Sequence, residues 1–469
     1  MSSSEVVELL ALAGGTSLAA VGEGGYELRH RGGQFPLRAS NPGVRVALEA
    51  LSVGPREVGD LTVAVERAGS VAGLLQWNAL LDRLDRAGAI DRQLVVDGAP
   101  LLTVHVVGSG SSQLMRLPDD LGAVRLSRLA TLTALDGRVR AKAPTSAVEL
   151  HLSDRALKMW GELAQNADVV TAQADSPVWT WFVRALLTAQ VATAAKDDDT
   201  ERWWSPAEWA MHTQSRDPRT VAGFAGTYRF AGVVEAPPAA LRTQPLRSLA
   251  LSVPDLEAAR RSDPPLAEVM ESRRSRRVHD DDRPITADQL GELLYRIARI
   301  RRQFTASDGQ ELLDRPVPSG GSIHEIDVFP LVGLCDGIEP GLWHYDGAAH
   351  QLDLIAEQDP RTEQLRESAA SASLMPDGQR PQVVLLLGAR FDRLMYKYES
   401  IGYSLICKHV GVMFQSVYLA AESMGLATCA LGAGLSPVFN DVSGFDPFSL
   451  STVGEITVGS RGAEPDGSS

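Results

Sequence analysis

The sequence predicts an α+β protein: a sheet flanked by helices in the C-terminal half, preceded by two winged-helix-like modules. Three observations carry this reading. Leu74, Trp77, Leu81 and Leu84 mark one face of a helix, and two strand-like runs joined at Asp97-Gly98 follow it; a helix followed by an Asp-Gly hairpin is the winged-helix plan. The region 120–200 repeats that plan in element order, though not in letters. From about residue 240, alternating apolar runs at 323–332, 428–434 and 453–459 surround Ile406, Val410, Met413, Val417, Ala421 and Met424, which recur at three- and four-residue intervals. Strands on both sides of one long apolar helix predict a sheet with that helix against it.

Taken in order, Tyr26–His30 alternates, Arg31-Gly32-Gly33 supplies a turn, and Phe35-Pro36-Leu37-Arg38 returns as the second strand of a hairpin. Asn41-Pro42 opens a helix, because asparagine caps well and proline suits the first turn. The helix bearing Trp77 stops near Gly88. In the second module, 129–135 and 139–143 flank Asp136-Gly137 as a hairpin. Ser153-Asp154 caps a helix carrying Leu157, Trp160 and Leu163, and Asp175-Ser176-Pro177 opens another with Trp181, Ala185 and Thr188 on one side. The segment Ala236-Pro237-Pro238-Ala239-Ala240 reads as a linker, and 462–469 as a disordered tail. The expected domains are 1–112, 113–235 and 236–469.

Composition narrows the function. The formal net charge of −14 argues against nucleic acid as the main partner, since phosphate binding relies on clustered cations. The winged-helix modules are therefore expected to dock a peptide or a protein. Cys335, Cys407 and Cys429 are an odd number without short paired spacing, which excludes a disulfide framework and a CxxC-type zinc site. No basic segment followed by an apolar stretch opens the chain, and no apolar run of about 18 residues is evident. A cytoplasmic protein is expected.

Four stretches carry chemistry. Arg273-Arg274-Ser275-Arg276-Arg277 concentrates guanidiniums and a hydroxyl that can grip a phosphate dianion, although an isolated arginine run serves equally as a solvated patch. In Pro318-Ser319-Gly320-Gly321 the glycines allow backbone N–H groups close to a planar ligand. Lys397-Tyr398 stands just before the long helix. Thr428-Cys429-Ala430-Leu431-Gly432 ends a strand in small residues, and Arg461 follows the last strand.

Together, and in this order, these stretches resemble the nitroreductase superfamily, and within it the azoline oxidases (dehydrogenases) of the SagB/ThcOx type from ribosomal peptide natural-product biosynthesis. Gly341-Leu342-Trp343-His344-Tyr345-Asp346 and His350-Gln351-Leu352 resemble that family's hairpin, while Trp209, His212, Ser215-Arg216 and Gly226-Thr227-Tyr228-Arg229-Phe230 resemble its lead-in. The resemblance implies a nitroreductase-like FMN domain and a homodimer with FMN at the protomer interface. It implies phosphate contacts from Arg273, Ser275, Arg277 and Arg461, with Arg274 close by at the cofactor. The isoalloxazine would lie along Pro318, Ser319, Gly320 and Gly321, with Gln415, Leu431 and Gly432 also at the cofactor, and Lys397 and Tyr398 would be catalytic. The implied reaction converts thiazolines and oxazolines in a precursor peptide to thiazoles and oxazoles, with dioxygen reoxidising the flavin and a cyclodehydratase complex as partner. No metal is expected. Two departures stand out: His324-Glu325-Ile326-Asp327 where the family usually has Tyr-Pro-x-Glu, and His409-Val410-Gly411-Val412 with Gln415-Ser416 where it has Glu-x-Gly-His before Gln-Asn. An NAD(P)H-consuming nitro or quinone reductase and a non-catalytic docking subunit are the alternatives.

Overall fold

The computed structural model describes residues 5–463 apart from 23, 31–32, 69–70, 118–122, 167, 174, 194–201 and 307–308. The chain divides after Phe224 into two compact units.

In the first unit, seven described strands form one antiparallel sheet in the order Arg56–Glu57, Val6–Leu12, Ile90–Val96, Ala99–Val106, Val148–Leu152, Arg138–Lys142, Thr131–Leu135. Both expected turns are there. Asp97 and Gly98 take φ of 51° and 81°, and Asp136 and Gly137 take 51° and 72°, the left-handed pair that matches strand twist. Element order repeats in outline: in each half four described strands precede three helices, first Pro42–Val53, Val58–Ala68 and Val71–Arg86, with the short strand Arg56–Glu57 between the first two, then Asp154–Gln165, Val169–Ala172 and Pro177–Thr188.

The division expected at 112/113 does not separate units. Ala99–Val106 pairs with Val148–Leu152 through Leu102 and Leu152, so the open edge of the first hairpin is covered by the second module. The division falls at Phe224 instead of 235. Helix Pro177–Thr188 buries Trp179, Phe182, Val183 and Leu186 more fully than Trp181 or Thr188, because it is apolar nearly all round and its periodicity does not select one face. Asn41 accepts from the Gly43 amide at 2.9 Å, and Ser153 from the Ala156 amide at 3.3 Å, as the caps predict. Of the early hairpin, residues 31 and 32 lie outside the described set, as do 464–469 of the tail.

In the second unit, seven described strands form an antiparallel sheet: Ser248–Ala250, Gln351–Glu357, Gly341–Asp346, Ile326–Val332, Val383–Arg390, Leu450–Ser460, Leu426–Leu431. The central helix Gly402–Ser423 and helix Ala287–Ala298 share one core with it, through Ile406, Val410, Met413, Val417, Leu290 and Leu294. A second cluster joins Phe329, Leu386, Leu365 and Phe439, bringing in helices Pro360–Ser373 and Ser436–Ser443. This is the α+β architecture that the sequence predicts.

Two expectations change. The central helix is long and apolar enough, by length and composition, to cross a membrane; Lys408-His409 and Gln415-Ser416 interrupt it, so no unbroken apolar run marks it in the sequence. The Pro-rich segment is not a free linker. Arg393, with no exposure, donates to the carbonyls of Pro237, Glu311 and Ile323 at 3.1, 2.8 and 2.7 Å, while Arg390 donates to Pro238 and to Ala239. A proline lacks an N–H but keeps its carbonyl, and these guanidiniums satisfy several of the segment's acceptors.

Candidate functional site

The arginine-rich opening and the end of the last strand meet at the C-terminal end of the central helix. Tyr418 is the hub. Its hydroxyl lies 2.8 Å from Ser275 Oγ and accepts from the Ala430 amide at 2.8 Å, and the Arg273 guanidinium sits 5.0 Å from its ring centroid. One turn on, Glu422 pairs with Arg461 at 2.8 Å and Arg276 at 3.5 Å, and Arg461 also donates to the carbonyls of Leu426 and Glu422. Cations at a helix C-terminus meet its negative dipole end, which holds these side chains in place. Arg276 Nε is buried without a hydrogen-bond partner among the described residues. Three guanidiniums against one carboxylate, with an N–H to spare, suit a phosphate dianion. Arg273, Ser275 and Arg461 thus come together, whereas Arg277 and Gln415 stand exposed, as does Arg274. The sequence reading missed Tyr418 and Glu422, whose four-residue spacing was the available signal, and it named Arg276 within the arginine run without assigning it a phosphate contact.

The second group surrounds the Pro-Ser-Gly-Gly loop. Gly321 has φ of 61°, and a Cβ there would lie 2.5 Å from Tyr398 Oη and 2.7 Å from Lys397 Nζ. Only glycine leaves the lysine and the phenol this close to the loop backbone. The lead-in motif builds the other wall. Strand Ala225–Gly226 pairs with Tyr398–Glu399, Thr227 Oγ1 donates to Glu399 at 3.0 Å, and Lys397 Nζ lies 5.5 Å from the ring centroids of both Tyr228 and Tyr398. Tyr228 is therefore part of this site. Gly320 differs from expectation: its N–H is spent on His409 Nε2 at 2.8 Å and does not face a ligand.

Leu431 and Gly432 line a third feature, a cavity of about 220 Å³ shared with Tyr403, Phe414 and Glu455. Glu455 is 3% exposed, and one carboxyl oxygen has no partner among the described residues. Burial raises its pKa to about 7, partly opposed by the Leu435 amide. The folded pKa lies above the ordinary value, so this group's contribution to stability is complete below about pH 4.5 and is lost as pH rises through 7. Glu455→Gln should remove about 3 kcal/mol of the loss in stability between pH 5 and pH 8, as read by urea unfolding at both. An unchanged pH dependence would show that the carboxyl stays charged.

Residues 270–460 match the Nitroreductase family. A Methanocaldococcus jannaschii protein named as a nitroreductase is 26% identical over 186 residues, 40% of this chain and 85% of its own. The trifolitoxin-processing protein TfxB of Rhizobium leguminosarum bv. trifolii is 30% identical over 151 residues, 32% of this chain and 40% of TfxB. The microcin B17-processing protein McbC of Escherichia coli is 29% identical over 117 residues, 24% of this chain and 42% of McbC. The matches thus span about two fifths of the two peptide-processing relatives.

Proposed function

We propose that this chain is an FMN-dependent oxidoreductase that oxidises thiazolines or oxazolines in a precursor peptide to the aromatic azoles. The observation that carries the reading is Lys397 and Tyr398 set against Gly321 of the Pro-Ser-Gly-Gly loop, a proton-handling pair where flavin chemistry alone would need none. Likeness to two peptide-processing proteins supports a peptide substrate, with a cyclodehydratase complex as the partner that supplies it. We place the reaction in the cytoplasm, consistent with three free cysteines.

FMN, when bound, would supply the acceptor for the hydride, two electrons with one proton, that leaves the ring carbon next to Cα, and dioxygen would take the electrons on afterwards. Arg273, Ser275, Arg276 and Arg461 would hold its phosphate; Leu431 and Gly432 would lie along the ring. The chain's own part is the proton. Lys397 takes it from the ring Cα, and Tyr398 orients the amine or relays the proton outward. The first unit presents the peptide.

Two copies would complete each site. His409 faces the loop and Tyr418 faces the arginine cluster. Nine residues of helix turn roughly 180° and rise roughly 14 Å, so the two groups lie on opposite faces. Only 33% of the helix's most apolar window is buried in the chain, which leaves surface for a second protomer.

Incubation of FMN-loaded protein with an azoline-bearing peptide should remove two hydrogens per ring by mass spectrometry. Rapid bleaching by NAD(P)H with no azole formed would replace this reading by that of a reductase. Arg273→Ala should weaken FMN binding about 10- to 100-fold in a fluorescence titration, the loss of a charge-assisted contact. Undiminished affinity would remove Arg273 from the phosphate site.

A further inference from the structure

The two departures from the family pattern are each other's partners. Glu325, fully buried, lies 2.6 Å from His409 Nδ1, and the opposite ring nitrogen accepts the Gly320 N–H at 2.8 Å. Ser319 Oγ lies 3.4 Å from the other Glu325 oxygen and accepts from the His324 amide at 3.0 Å. An imidazole nitrogen that accepts from a backbone N–H carries no proton, so the ring proton is on Nδ1 and points at the carboxylate. The carboxylate fixes the tautomer, the tautomer fixes Gly320, and Gly320 fixes the next residue, Gly321, against Lys397 and Tyr398.

We infer that Glu325 and His409 are a positioning pair that sets the Pro-Ser-Gly-Gly loop against the lysine–tyrosine pair. This rests on the proposed oxidation for its catalytic consequence, but not for its structural one. His409 is no general base here, because the lone pair it would use is occupied by Gly320. Its neighbour His324 is held neutral with a pKa of about 3, chiefly by burial and then by Arg315, Arg393 and His409, so it does not compete for the Glu325 proton acceptor. The pair joins positions 84 residues apart, on the strand-entry loop and the central helix.

The FMN-loaded protein separates the possibilities. His409→Gln can still accept from Gly320 and donate to Glu325, whereas His409→Leu can do neither. Glu325→Gln keeps the shape but no longer enforces the tautomer, since an amide both donates and accepts. Hydrogen exchange over 316–324 should quicken in His409→Leu, change partway in Glu325→Gln, and stay near wild type in His409→Gln. With an azoline peptide, kcat should fall about 10- to 100-fold in His409→Leu at little change in KM, with recovery in His409→Gln. Equal exchange in His409→Leu and wild type would overturn the inference, as would equal loss in the leucine and glutamine variants. Wild-type exchange and kcat in Glu325→Gln would remove the carboxylate from it. If the wild type forms no azole, the proposed reaction falls, and the exchange rates alone judge the pair.

Discussion

Lys397→Ala is expected to leave a yellow, FMN-loaded protein whose azole formation is slowed about 10²- to 10⁴-fold, the usual contribution of a positioned base. The two effects separate because the groups do. Lys397 ends the short helix Phe391–Lys397, just before the central helix in sequence, beside Tyr228, Tyr398 and Gly321, while the arginines proposed for the phosphate cluster around Tyr418 and Glu422. Alanine removes the amine without unmaking the strand pairing of Ala225–Gly226 with Tyr398–Glu399, which runs through main-chain atoms. Flavin content by absorbance and ring oxidation by mass give the two readouts. An undiminished rate would end the assignment of Lys397 as base, whatever the cofactor.

Arg393→Leu should cost about 3–5 kcal/mol of stability, in line with breaking a buried charged network. Arg393 has no exposed surface, and burial lowers its pKa to about 10, chiefly through desolvation and then through Arg390. It remains charged at neutral pH and spends its protons on three carbonyls. Leucine would strand those oxygens, at about 1–3 kcal/mol each, and would recover part through its own burial. Urea unfolding should show a lower midpoint at unchanged slope. A midpoint equal to wild type would show that the Pro237 segment and the Ile323 turn stand without it.

What the sequence conveyed was local. Asn41-Pro42, Asp97-Gly98, Asp136-Gly137 and the periodic run from Ile406 to Met424 each announce themselves within a few residues, because caps, turns and helix faces are decided by near neighbours. The Pro-Ser-Gly-Gly loop and Lys397-Tyr398 were legible as chemistry for the same reason. Partners far apart in the chain were not. Glu325 and His409 read as two separate departures until the fold joined them, and Arg393 carried no hint of the carbonyls it binds. The seven-stranded sheet of the first unit hid behind its own repeat, since Leu102 opposite Leu152 is a pairing no local pattern encodes. Tyr228 was visible in a motif, but its ring reaches Lys397 only beside a strand pair whose partners lie far apart in sequence, as its neighbour Thr227 reaches Glu399 across 172 residues.

The half-turn between His409 and Tyr418 on the central helix has a genetic reading. If each site takes its loop from one chain and its arginines from another, damage at Lys397 and damage at Arg273 strike different contributors to any given site. A mixed pair of chains, one carrying each lesion, still assembles one site from two undamaged halves. The two kinds of mutation would then belong to separate complementation groups within one gene.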